Sequence, residues 1–179
     1  RLHIKQFQEE TNLRCTIVLD CSASMSYGSV GVDKLRYAKM LAACLAFLLN
    51  QQKDDVGFVA YAQSIGKYIP PRAGVKHLRG ILAELENTTV GGATDTAGTL
   101  RFLGDVIRPR GMVVLISDLL HPLDETIEHL RSLRARRHDL IVLQISDPAE
   151  RTFPFDRTVT FLDVEDARED RGLVRDDPD

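Results

Sequence analysis

LRCTIVLDCSASM, residues 13–25, decides the fold. Its first part, Leu13 to Leu19, is a short apolar, β-branched run bounded by polar residues, the pattern of a strand buried on both faces. Such strands belong to parallel sheets with helices covering each side. Its second part, Asp20-Cys21-Ser22-Ala23-Ser24, alternates a carboxylate with two hydroxyls where that strand ends. Residues two apart in extended or turning backbone project to the same side, so these three oxygen groups can converge on one point. The plain alternative is a strand that ends in small polar residues capping the next turn.

Outward from this stretch, strand and helix patterns alternate. Asp33 to Gln51 sets Leu35, Ala38, Leu41, Ala42, Leu45, Leu48 and Leu49 at helical spacing, with Met40, Ala43 and Phe47 widening the stripe, and predicts a largely buried helix. Val56 to Tyr61 and Ile65 to Ile69 flank a polar turn and read as a hairpin that Pro70 and Pro71 end. Helices follow at Val75 to Leu85, Thr96 to Ile107 and Leu123 to Arg136, and strands at Met112 to Ser117, Leu140 to Ile145 and Val159 to Leu162, the last at a sheet edge. Right-handed parallel crossovers then give an α/β fold. The expected architecture is a doubly wound, mostly parallel central sheet with one antiparallel edge strand and helices on both faces. One domain over 13–163 is expected, after a lead-in at 1–12 and before a tail at 164–179 that is a small hairpin or a frayed end. The chain opens at Arg1 in what reads as mid-strand, and is expected to be part of a longer protein.

Bulk composition narrows the function. With 44% hydrophobic and 27% charged residues the 179-residue chain is an ordinary folded domain rather than a disordered or fibrous one. A net charge of −3 supplies no field to collect nucleic acid, and no apolar stretch approaches the ~20 residues of a membrane span. Cys15, Cys21 and Cys44 are an odd number at no metal-ligand spacing, which suggests a reducing, cytoplasmic setting. His3, His77, His121, His129 and His138 form no HExxH or Cys-His pattern, and no GxxxxGK[ST] or strand-linked GxGxxG is present. Arg131, Arg134, Arg136 and Arg137 read as a solvated helix C-terminus, with a partner surface as the lesser reading.

The candidate chemistry lies at the strand ends. Met112 to Ser117 runs into Asp118, and in a doubly wound sheet the strands diverging at the switch point place their carboxyl ends side by side, so Asp118 is expected near Asp20. In Gly91-Gly92-Ala93-Thr94-Asp95 the glycines permit tight backbone and Thr94 can present a hydroxyl, while Asp95 reads as a helix N-cap or first-turn acid. The expected cage is Asp20, Ser22, Ser24, Thr94 and Asp118, hard oxygen groups that suit Mg2+, or Mn2+ or Ca2+, rather than zinc.

DxSxS, a Gly-Gly-x-Thr-Asp loop and a buried strand ending in Ser-Asp together resemble the metal-ion-dependent adhesion site of von Willebrand factor A domains. Arg1 to Lys5 through Glu9-Glu10, Asn12-Leu13-Arg14, Asp20-x-Ser22-x-Ser24-Met25 and Val113 to Leu119 look like a bacterial family of uncharacterised proteins that accompany MoxR-type AAA+ ATPases. The resemblance implies that Ser22 and Ser24 are direct ligands, Thr94 a direct or water-bridged one, and Asp20 and Asp118 acceptors through water. It also implies an open coordination position for a partner's Asp or Glu, a MoxR-type ATPase as partner, and work in chaperone-like assembly or maturation. The loop Ser26 to Val32, with two glycines, lies beside the site and could reshape on binding. The expectation is therefore a metal-dependent interaction module and not an enzyme. The alternatives are a metal-dependent phosphohydrolase, which lacks an evident base beside Ser22, and a metal-free scaffold whose polar groups satisfy one another.

Overall fold

The computed structural model describes residues 13–107 and 110–154, together with the backbone of 160–161 and 172–173. The central sheet has five strands: β1 (Arg14–Asp20), β2 (Asp55–Tyr61), β3 (Ile65–Arg72), β4 (Met112–Ser117) and β5 (Asp139–Gln144). Their order is β3-β2-β1-β4-β5, with β3 antiparallel to β2 and the remaining neighbours parallel. The doubly wound, mostly parallel sheet with one antiparallel edge is thus the observed fold. The chain leaves β1 for β2 on one side and later enters β4 on the other, and this reversal opens a crevice at the carboxyl ends of β1 and β4.

Two helices cover each face. On one, α1 (Lys34–Gln51) and α2 (Val75–Asn87) pack over Ile17, Leu19, Phe58 and Val114; on the other, α3 (Thr96–Val106) and α4 (Asp124–Ala135) pack over Val18, Val59, Val113 and Leu115. Cys15 to Asp20 is buried along its whole length because helices close over both sides of this central strand. Phe58 is fully enclosed, and truncating it to Ala would cost about 3–5 kcal/mol in lost transfer energy and cavity.

Several expectations are corrected. The helix α1 is only half buried: Ala38, Ala42 and Ala46 let it sit close on the sheet, whereas Met40 and Phe47 are 48% and 49% exposed. One helix on a flat sheet buries one stripe, so the widened apolar surface meets solvent. The strand β3 does not stop at Pro70 and Pro71 but runs through both to Arg72. Among the described residues it pairs only with β2, and an edge strand tolerates residues that lack an N–H. Gly57 makes room for this, since a Cβ there would meet Pro71 at 2.9 Å. Finally, the expected edge strand at Val159 to Leu162 is described only at Thr160–Phe161, and that part is not among the five strands of the central sheet. Its described part, β6 (Thr160–Phe161), pairs antiparallel with β7 (Gly172–Leu173) in a separate two-stranded sheet. The expected lead-in at 1–12, and most of the tail, lie outside the described residues.

A short helix, α5 (Pro148–Thr152), was not anticipated although its start is legible. Asp147 caps it, Pro148 follows, and Glu150 returns a bond to the Asp147 N–H to complete a capping box.

Candidate metal centre

At the top of β1 the backbone tightens into a 3-10 turn, Ala23–Ser26. The Asp20 carboxylate is fully buried and shapes this turn. One oxygen accepts the Ser22 N–H at 2.9 Å and the other accepts the Ser117 hydroxyl from β4 at 2.6 Å. Asp20 therefore holds the serine-bearing turn and the two strand ends together. The Ser22 and Ser24 hydroxyls lie 3.1 Å apart, so the alternation does bring them to one place. Tyr61, from the end of β2, is buried beside this network, and its hydroxyl pairs with Thr96 at 2.9 Å. Burial and the negative charge of Asp20 push the Tyr61 phenol well above its ordinary value of 10.0. The same two causes raise the Cys21 thiol to about 12.

The glycine loop is laced to this turn by the backbone. Gly91 donates to the Cys21 carbonyl at 2.6 Å, the Gly92 carbonyl accepts from Ala23 at 2.9 Å, and Asp95 donates to the Ala62 carbonyl at 2.9 Å. Glycine is required at 91, where a Cβ would meet that of Ala62 at 2.5 Å. Thr94 is two residues beyond Gly92, a reach of about 7 Å at most. Its Oγ1 is buried and has no hydrogen-bond partner among the described residues. Asp95 caps α3 by accepting the Gly98 N–H at 2.8 Å, one of the two roles expected of it.

Asp118 follows Ser117 at the top of β4 and is likewise buried. One of its oxygens accepts the Leu120 N–H at 3.3 Å, and the other binds the Lys34 ammonium at 2.8 Å. Lys34 is 3% exposed and also reaches Glu150 of α5 at 2.6 Å. Desolvation disfavours its charge, but the bonds to Asp118 and Glu150 outweigh this and hold the Lys34 pKa above its ordinary 10.5. Sequence reasoning missed Lys34, Glu150 and Tyr61. No pattern marks a lysine for burial, because lysine at a helix start ordinarily extends into water.

Two further features lie on the loops next to these residues in the chain. Tyr27, Val30 and Val32 after the serine turn, Val90 before the glycines, and Leu120 and Leu123 after Asp118 are all exposed, so the loops from three chain segments carry apolar side chains. The loop 27–33 is tethered, since both the N–H and the hydroxyl of Ser29 donate to the Asp147 carboxylate. Burial opposes ionisation of Asp147, yet these bonds, the Ala149 N–H and the Lys34 charge hold its pKa below 3.8. His121 lies three residues past Asp118, and its Nδ1 is the other buried side-chain polar atom without a partner among the described residues.

The residue types suit a hard divalent cation: two adjoining serine hydroxyls, a threonine hydroxyl that is buried and without a partner among the described residues on the loop bonded to their turn, and the buried carboxylates of Asp20 and Asp118 at the ends of β1 and β4. An orphaned buried hydroxyl costs about 1–3 kcal/mol, which a ligand oxygen or cation at that point would recover.

Comparison with known proteins agrees with this architecture. A family model described as "Protein of unknown function DUF58" matches residues 1–174. An uncharacterized protein of Mycobacterium tuberculosis is 29% identical over 178 residues, covering 97% of this chain and 53% of its own length. The chain thus spans about half the length of the curated relatives it matches. Among solved structures, an aerotolerance-related membrane protein from Bacteroides fragilis superposes with a TM-score of 0.66 at 19% identity, over 75% of this chain and 68% of that one. BatB from Bacteroides thetaiotaomicron gives 0.64 at 18%, over 74% and 66%. The manganese-loaded TRAP protein of Plasmodium vivax gives 0.56 at 17%, over 75% and 57%. These likenesses establish a von Willebrand factor A-like fold. No described helix is long and apolar enough to cross a membrane.

Proposed function

This chain belongs to the DUF58 family, and on that premise we propose that it is a protein-interaction module that holds one divalent cation, Mg2+ or Mn2+, among Asp20, Ser22, Ser24, Thr94 and Asp118. The observation that carries the reading is the buried, unpartnered Thr94 hydroxyl, on a loop bonded to the turn that presents Ser22 and Ser24. The fold-mate from Plasmodium vivax was solved loaded with manganese, which supports the choice of metal class. A bound cation would supply an electrophilic centre for an acidic side chain of a partner. The chain's own residues do the rest. Ser22, Ser24 and Thr94 offer neutral oxygens, Asp20 fixes the turn, and Lys34 holds Asp118 in place. The exposed Tyr27, Val30, Val90 and Leu120 would surround the contact with apolar surface of the kind that concentrates binding energy.

The role is non-catalytic in this reading, because the Ser22 hydroxyl pairs with Ser24 rather than with a base that could activate it. The partner we propose, from the resemblance set out above, is a MoxR-type AAA+ ATPase in chaperone-like assembly or maturation. A reducing, cytoplasmic setting is proposed on the free thiols of Cys15, Cys21 and the exposed Cys44.

Calorimetric titration with Mn2+ tests the metal. The wild-type chain is expected to give a saturable heat that the Ser22→Ala, Ser24→Ala double variant loses; equal heats from both would end the proposal. Recovery of the ATPase on the immobilised chain is expected to fall when chelator is added, and undiminished recovery would remove the metal-gated contact. One observation favours a second reading, a metal-free scaffold: the Lys34 ammonium already compensates Asp118. A melting temperature and a partner affinity both indifferent to Mn2+ would select it.

A further inference from the structure

At the opposite end of the sheet, where β4 and β5 begin, a cavity of about 480 Å3 is lined by Arg110, Arg134, Arg137, His138, Asp139 and Leu140. Two backbone-anchored bonds assemble it. Gly111 donates its N–H to His138 Nδ1 at 3.1 Å, and Asp139 donates to the Gly111 carbonyl at 3.0 Å, which brings Arg110 against the end of α4. The buried His138 ring accepts at Nδ1, so its proton sits on Nε2, leaving that nitrogen a donor. None of Arg110, Arg134 and Arg137 has a carboxylate partner among the described residues, and Asp139 is the single acid in the lining.

Arginines at a helix C-terminus ordinarily need no more explanation than the helix dipole. Two facts exceed that account here. Arg110 comes from a different segment than α4, and Arg136, the neighbour of Arg137, turns away to donate to the Gly104 carbonyl of α3 and is not in the lining. Moreover, α4 closes with paired bonds from Arg137 N–H to the Arg134 carbonyl and from His138 N–H to the Leu133 carbonyl, a motif whose left-handed residue is usually glycine. Arg137 occupies that position at φ +66°, as Lys53 does at +64° where α1 ends with the same pair of bonds, so the conformation is tolerated and a glycine at 137 would relieve it.

We propose that this pocket is a binding site for a phosphate group, carried by a small molecule or by a modified side chain. Three guanidinium forks against one acid leave an excess of positive charge that a single carboxylate would not neutralise. A phosphate, with about −1.5 to −2 charge and three strong acceptor oxygens, matches it. The site does not depend on the metal centre, and it is tested with chelator present.

The test is calorimetry on the whole chain, at fixed ionic strength, with inorganic pyrophosphate, with a phosphoserine peptide, and with acetate. At least one phosphate source is expected to bind and acetate to give no saturable heat; the tighter of the two phosphate arms identifies the source. Arg134→Gln and Arg137→Gly are each expected to weaken binding about tenfold, the loss of one charge-assisted hydrogen-bond set. Arg137→Gly keeps the helix-ending motif and relieves its left-handed residue, so its melting temperature is expected to equal or exceed that of wild type. Acetate binding as well as phosphate, silence from both phosphate arms, or variants that bind like wild type would each overturn the proposal.

Discussion

Replacing Lys34 with Met probes the tie that spans α1, β4 and α5. The side chain is 3% exposed, and its ammonium lies 2.8 Å from one carboxylate oxygen of Asp118 and 2.6 Å from one of Glu150. Methionine keeps most of the buried stem and deletes the charge. Asp118 would retain the Leu120 N–H but lose its cation, whereas Glu150, 28% exposed on its side chain, would recover solvation from water. The penalty should therefore come mainly from Asp118, and removing one partner of a buried pair costs about 3–5 kcal/mol. At a urea m-value of about 2–3 kcal/mol/M, the denaturation midpoint should fall by about 1–2.5 M at pH 7. Saturating Mn2+ is expected to return part of that loss if a cation sits beside Asp118. The pH dependence has a definite sign. The folded-state pKa of Lys34 lies above 10.5, so its contribution is complete below pH 10.5 and disappears as the pH rises through the folded value. The gap between wild type and Lys34→Met should accordingly narrow only above pH 10.5. A variant within about 1 kcal/mol of wild type at pH 7 would refute the reasoning, since surface pairs are worth that little and buried ones are not.

Thr94→Val removes a buried hydroxyl that has no partner among the described residues, so without metal the variant should be as stable as wild type or up to about 2 kcal/mol more stable, and its melting temperature should no longer respond to Mn2+. Burial, followed by the charges of Asp54 and Asp20 respectively, pushes the Cys15 and Cys21 thiols to about 12, while Cys44 is exposed. Mass spectrometry after brief maleimide treatment at pH 7 should therefore find one label on the native chain at Cys44, and three only after denaturation. The Asp147 pKa is held below 3.8, so its support for the fold is present above pH 3.8 and is lost as the pH falls through the lower folded value. Ser29→Ala should weaken that acid dependence and speed amide exchange in residues 27–33; protection equal to wild type would show that the tether does not restrain the loop.

From the chain's order alone one could read the alternation of strands and helices, the helix cap at Asp95, and the places where Asp20, Ser22, Ser24, Thr94 and Asp118 fall at strand ends and loop turns. These follow from hydrophobic period and turn chemistry, which are properties of neighbouring residues. Tertiary structure alone decided which elements became neighbours. It left half of α1 in water because only one stripe of a helix can face a sheet, carried β3 through two prolines because that strand lies at an edge, and set β6 apart from the central sheet. It also turned Lys34 inward, where carboxylates from two distant segments offset the cost of burying its charge. Charge compensation of that kind depends on residues 84 and 116 positions apart, a separation that no local pattern records.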